Sequence, residues 1–437
     1  MLIDFSVENS LSLKDEVTFS MISTNVKNSK KVKLHKHFDD LYILPTAVIY
    51  GFNASGKSNL IRSIENLKNQ IVYSKITDLT LLDVDIFKFN PYRLDDHYTN
   101  KPTKYQIRIA IGKFIYDYQV VLDHNSIILE KLLLIDENYD FVELIKRDLD
   151  SMEFDYDIDK EIIIKMMGSD KDKKLSVGSL SIFDERVNIF TSWIENDLII
   201  LSNSNSKENL KKTIEYLLEK DELFYNKISR MLSDISYTNI SRIVAEKIDS
   251  TLQRDDINES IKRRLYDELI ENNFINKKSN IESNSKYTIN TYKIGFDTDG
   301  NEKDVVFNLY EESEGTIKIY SLYAFIFDAL NKGKTLIVDE MTSFIHPLIS
   351  KYIIELFQNP IENINGQLIT TTHTTDLLEI DSLRKDEIYI TDKNFNETRL
   401  YSLADIIDVS QNENFRSAYL SGKYGGINFL RRDDHGE

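Results

Sequence analysis

The chain has no cysteine in 437 residues, which excludes disulfides, cysteine-held zinc and thiol catalysis and suits the cytoplasm. Long apolar runs are missing too: none approaches the ~18 residues that a membrane span requires. The first residues, Ile3-Asp4-Phe5-Ser6-Val7, alternate as a strand does and lack the basic start and apolar core of a signal peptide. A soluble, cytoplasmic protein with no membrane partner is expected. A basic surplus is also absent. The net charge is −18, so charge does not indicate a nucleic-acid partner of the kind held by phosphate neutralisation. One local basic run, Lys27 to His37, reads first as a solvated loop between two early strands and second as a DNA-facing patch. What remains is a folded composition. With 41% hydrophobic and 11% aromatic residues, the chain can bury a large core, divided into two to three domains or lobes.

Eight residues, GFNASGKS from Gly51 to Ser58, match G-x-x-x-x-G-K-[ST] in full. The apolar run Leu44 to Tyr50 predicts a buried strand entering this loop, and Leu60, Ile64, Leu67 and Ile71 predict a helix leaving it. Strand, glycine turn and helix N-terminus make a nest of backbone N–H groups for a triphosphate, formed by Asn53, Ala54, Ser55, Gly56, Lys57, Ser58 and Asn59. In that nest Lys57 reaches the β- and γ-phosphates and the Ser58 hydroxyl ligates Mg²⁺.

A second signal lies far downstream. The apolar strand Leu336-Ile337-Val338 runs directly into Asp339-Glu340, two acids at the C-terminal edge of a predicted parallel strand. Asp339 is expected to organise the Mg²⁺ shell, and Glu340 to orient and deprotonate an attacking water. The strand Gln367 to Thr372 then ends in His373, which at that edge would sense the γ-phosphate. Before the acids, Ser313-Glu314-Gly315 precedes an apolar helix and offers a second anion-binding end. Because one phosphate cradle already exists, Ser313 and Gly315 are expected to meet the γ-phosphate held by another subunit. ATP and Mg²⁺ are the expected cofactors.

Around these motifs, residues 1–150 read as a strand-rich lobe with the phosphate loop. It has a hairpin from Ile3–Val7 and Val17–Met21 and two antiparallel strands joined at Gly112-Lys113. Residues 151–286 read as a charged helical insertion, with stripes at Leu210, Ile214 and Leu217 and at Ile261, Leu265 and Leu269, closing in a polar loop at 272–286. Residues 287–437 resume the α/β pattern, with strands at 335–338, at 367–372 and from Asp386, and a helix through Ile353, Ile354 and Phe357. The tail Ser421 to Leu430, glycines among Tyr424, Ile427 and Phe429, reads equally as a structural turn or a docking segment.

The order of motifs resembles the ABC-type ATPase superfamily that includes SMC-like and RecF-like proteins. GFNASGKSNL, VDE with Ser343 and His346-Pro347, the S-x-G signature and TTH carry that resemblance. MLIDFSVENSLSLKDEVTFSM, EESEGT, LITTTHTTDLL and YLSGKYGGINFL look like the stand-alone AbiL/RloA group of abortive-infection ATPases. The resemblance implies an α/β ABC-type fold with a phosphate-loop sheet core, an antiparallel β subdomain and an inserted helical arm. It also implies a homo-dimer or higher homo-oligomer closed through the nucleotide interface, acting with a separate Toprim-like nuclease. MTSFIHP departs from the family pattern after the acids, and no glutamine loop is legible. The alternative is a RecF/SMC-like repair ATPase that binds DNA itself.

Overall fold

In the computed structural model the described residues are 1–24, 34–38, 40–76, 88–201, 240–248, 286–380, 382–410 and 413–427. The basic stretch 27–33, both leucine-isoleucine stripes, the polar loop 272–285 and the tail from residue 428 lie outside them. The chain divides into two compact units, Met1–Ser206 with Phe325–Glu437, and Lys207–Ala324. The expected boundaries at 150 and 286 therefore fall inside these units, and helices Lys160–Met167, Ser176–Leu180 and Glu185–Asn196 belong to the first.

The first unit is α/β and built on two sheets. One has six strands in the order Leu198–Leu201, Thr335–Val338, Gln367–Thr372, Thr46–Tyr50, Ile388–Asn394 and Glu397–Ser402. The first five run parallel and the last turns back antiparallel. Every residue of TLIV, QLITTT and TAVIY is buried, as strands covered on both faces require. Helix Lys57–Tyr73 buries Leu60, Ile64, Leu67 and Ile71, the stripe the sequence predicts. Helix Pro347–Gln358 begins with proline at its first position, where no backbone donor is lost, and buries Ile353, Ile354 and Phe357.

The second sheet is antiparallel, seven strands in the order Met152–Phe154, Phe141–Asp148, Ile127–Ile135, Phe114–Leu122, Thr103–Ile111, Leu2–Glu8 and Val17–Ser20. The predicted hairpin pairs Val7 with Val17, and the Gly112-Lys113 turn joins Ile111 to Phe114. Helix Glu185–Asn196 packs on this sheet through Phe190, whose ring lies 5.8 Å from Tyr116 and 5.1 Å from Tyr118. Truncating such a side chain to alanine costs about 3–5 kcal/mol. The two sheets are joined by a polar clamp. The Gln367 amide donates to Leu2 O (2.9 Å) and Leu44 O (3.2 Å), while its oxygen accepts from Leu2 N (2.6 Å) and Thr335 Oγ1 (2.8 Å).

In the second unit the described part is an antiparallel sheet of Ile240–Ile248, Lys286–Phe296 and Glu302–Asn308, then the start of helix Glu314–Lys332. Buried Glu312 accepts from Thr291 Oγ1 (2.7 Å) and Lys293 Nζ (2.9 Å), which fixes the turn just before that helix.

Candidate phosphate-loop site

Strand order decides what meets at the sheet's C-terminal edge. The phosphate-loop strand ends at Tyr50, its neighbour at Thr372 and the next strand at Val338. Tyr50 pairs with Thr372, and Val338 with Thr370. Gly51, His373 and Asp339 thus leave three adjacent parallel strands at one edge, where ligands of open α/β sheets bind.

Helix Lys57–Tyr73 is preceded by Gly56, has no side-chain cap and carries no acid in its first turn, so its leading N–H groups suit a phosphate. Lys57 is buried, and its Nζ donates to Gly51 O (2.7 Å) and Phe52 O (3.1 Å). Burial lowers the Lys57 pKa, while the charges of Glu340 and Asp339 push it back up. The loop lysine and the acid pair therefore share one electrostatic neighbourhood. Ser58 and Asn59 are half-buried in the first helical turn, while Phe52, Asn53 and Ala54 are exposed at the loop tip. That tip borders a cavity of about 180 Å³ whose opposite side is Asp392, Lys393 and Gly426.

The glycines are required by close neighbours. A Cβ on Gly51 would lie 2.0 Å from Thr391 Oγ1, and one on Gly56, at φ +112, would lie 2.0 Å from Thr398 Oγ1. Both threonines brace the loop. Thr391 Oγ1 bonds Ser55 Oγ (2.6 Å) and Tyr50 O (3.0 Å), while Thr398 Oγ1 donates to Ser55 O (2.9 Å). Ser12, from the first hairpin, bonds Thr398 Oγ1 (2.7 Å) and accepts from Asn59 Nδ2 (2.7 Å).

The acid pair is held by the strand between. Thr371 Oγ1 donates to Asp339 Oδ1 (2.6 Å) and accepts the Glu340 N–H (2.7 Å). Glu340 sits at φ +56, a left-handed backbone that costs a side-chain-bearing residue about 1–3 kcal/mol and persists where neighbours over-determine it. Ser343 Oγ donates to its carboxylate (3.2 Å). Thr342 and Thr372 bond through their hydroxyls at 2.8 Å, and Thr372 Oγ1 accepts the Thr374 N–H (3.1 Å). His373 stands exposed in that turn.

Among the described residues no group of three or more His, Asp or Glu side chains could cage a metal. Ser58 and Asp339 offer oxygen donors of the kind a magnesium ion takes when phosphate and water complete its shell. Ser313 and Gly315 stand in the second unit, at the start of helix Glu314–Lys332. Ser313 is exposed, and its carbonyl accepts from Ile317 N (3.0 Å). Sequence reasoning missed Ser12, Thr371, Thr391, Thr398 and Glu312. All but Glu312 are short hydroxyl side chains acting across strands, and only the repeated threonines of QLITTT gave any signal.

The fold is α/β, with the phosphate-loop motif and the acid pair at one edge of its parallel sheet. Residues 180–380, which include the acid pair and His373, match the family model described as "AAA domain, putative AbiEii toxin, Type IV TA system". No curated protein matches the sequence. Among solved structures the chain is similar to an SMC head domain from Thermotoga maritima, at 11% identity and TM-score 0.36, covering 92% of this chain and 98% of that one. A Pyrococcus furiosus Smc head domain bound to the C-terminal domain of ScpA gives 11% and 0.32, over 92% and 96%. The recombination mediator RecF gives 14% and 0.30, over 92% and 98%. Likenesses this distant say nothing of what the present chain acts on.

Among the described residues no helix is long and apolar enough to cross a membrane.

Proposed function

We propose that the chain is an ATP-hydrolysing switch in bacterial anti-phage defence, whose nucleotide state controls a separately encoded Toprim-like nuclease. One observation carries the hydrolytic part: the phosphate loop that leads to Lys57, the Asp339–Glu340 pair and His373 leave neighbouring parallel strands at one edge. In this reading the loop N–H groups and Lys57 hold the triphosphate, and Ser58 and Asp339 hold magnesium, which offsets phosphate charge. Glu340 takes the proton of the attacking water, and Thr371 keeps that carboxylate's backbone in place. His373 contacts the γ-phosphate. Ser313 and Gly315 complete the site of a second copy, making a homo-dimer or larger homo-oligomer. The defence role rests on the AbiL/RloA-like ends of the sequence and on the AbiEii description of the matching family.

Phosphate release and nucleotide binding test the first part. Lys57→Ala should weaken ATP binding, while Glu340→Gln should keep ATP and lose turnover by ~10²-fold or more, the range for a positioned base. Wild-type turnover in Glu340→Gln would remove it from that role. Phage plating tests the second: protection by this chain with no nuclease gene present would refute the effector model.

A further inference from the structure

The loop that carries His373 is weakly tied on its own account. The strand ends at Thr372, and the next buried anchors are Leu377 and Leu378 in the short 3-10 turn Asp376–Glu379. Residues 373–376 between them are exposed or half-buried. One side chain from the far end of the sequence reaches this stretch. Arg416 Nε donates to Thr375 Oγ1 (3.2 Å), and its guanidinium pairs with Glu379 and, at 3.4 Å, with Asp376. Thr375, Asp376 and Glu379, all within six residues after the histidine, thus share one planar donor fork, which a lysine cannot reproduce.

Arg416 is itself anchored. It lies on helix Phe415–Leu420, where Asn414 caps Ser417 N (2.8 Å) and Phe415 and Tyr419 are buried. The Tyr419 ring lies 6.1 Å from that of Tyr50, the last residue of the phosphate-loop strand. Beyond the helix the chain turns back on glycines at positive φ. Tyr401 OH donates to Tyr424 O (2.7 Å), and Tyr419 OH to Gly426 O (3.2 Å). A Cβ on Gly426 would meet Ile390 at 2.6 Å, so the segment is seated against the strand beside the phosphate loop. It connects two things: the histidine turn on one side and the strand delivering Gly51 on the other.

We propose that Arg416 is a positioning residue for His373, setting the histidine's place relative to the phosphate loop through the helix Phe415–Leu420. The proposal rests on the ATPase reading above. Its effect is on turnover, since the phosphate cradle contains none of these groups. Misplacing a catalytic contact by about 1 Å can cost up to ~10²-fold in rate. Arg416→Ala should lower kcat by about tenfold or more while the dissociation constant of a fluorescent ATP analogue stays within about twofold. In a His373→Ala background, Arg416→Ala should cost nothing further, because the residue acts through the histidine. Glu379→Gln, which leaves Arg416 in place, should show the same split at smaller size.

A second readout does not need turnover. The ring resonance of His373, assigned among the seven histidines by its loss in His373→Ala, should move in Arg416→Ala. An unmoved resonance, a loss that adds in full to His373→Ala, or wild-type kcat in Arg416→Ala would each overturn the proposal. A wild-type chain that hydrolyses no ATP, yet whose His373 resonance moves in Arg416→Ala, would overturn the ATPase reading and leave the positioning role standing.

Discussion

Glu387 offers a quantitative test at the end of the sheet away from the phosphate loop. Its carboxyl is fully buried, and burial pushes its pKa up from 4.5 to about 7. Hydrogen bonds pull it back down, Thr46 Oγ1 donating to one oxygen (2.5 Å) and Arg384 N (3.0 Å) and Gln358 Nε2 (3.1 Å) to the other, while the charge of neighbouring Asp386 pushes it up further. Below about pH 4.5 the folded and unfolded chains both carry the proton, and the stabilisation is complete. As pH rises the unfolded carboxyl ionises first, while the folded one keeps its proton until about 7. Over that window stability falls by up to 1.36 kcal/mol per pH unit, about 3 kcal/mol in all. Glu387→Gln keeps the size and removes the ionisation, and the Thr46 hydroxyl can turn to accept from the new amide. Urea unfolding followed by circular dichroism at steps between about pH 5 and 8 gives wild type minus variant at each pH. The variant should gain on the wild type by about 2–3 kcal/mol across the range. A difference constant to within about 0.5 kcal/mol would refute the argument, because the carboxyl would then ionise as freely folded as unfolded.

Two more outcomes follow from the site. Gly56→Ala forces a side chain into φ +112 and against Thr398, so nucleotide titration should show binding weakened by more than about tenfold, with thermal unfolding showing a loss of about 1–3 kcal/mol. Mixing Lys57→Ala chains with Gly315→Asp chains should restore part of the ATPase rate, since in a mixed dimer both defects fall in one composite site and the other is left intact. No recovery at any ratio would mean that one chain completes its own site.

The parts legible in the sequence were those governed by period and by motif. The two antiparallel strands joined at Gly112-Lys113 and the stripe Leu60–Ile71 each follow from which face is buried, and both appear as expected. The phosphate loop was legible because strand, glycine turn and helix come within some thirty residues. Its braces were not. Thr391 and Ser55 are 336 positions apart, and a lone threonine carries no sign of the distant loop it supports. The strand expected from Asp386 begins at Ile388, because Asp386 and Glu387 are held in a 3-10 turn by Arg384. The glycine-rich tail, through Ile427, lies against the strands Ile388–Asn394 and Glu397–Ser402 with Tyr424 buried. Composition alone left that open, since glycine and tyrosine suit a folded turn and a docking surface equally.

The strand order also sets a timetable for synthesis. Thr46–Tyr50 emerges early, but both strands that flank it come from the last fifth of the sequence, Gln367–Thr372 and Ile388–Asn394. Ser55 waits 336 residues for Thr391. At roughly 5–20 residues per second, that is about 20–70 s during which the nascent phosphate loop has no completed sheet behind it. The early half can form its antiparallel hairpins in that interval, because those contacts are local. The phosphate loop gains its braces late, when the final strands close the parallel sheet. A chain truncated by a ribosome that stops short therefore leaves an unpaired apolar strand and an unbraced phosphate loop.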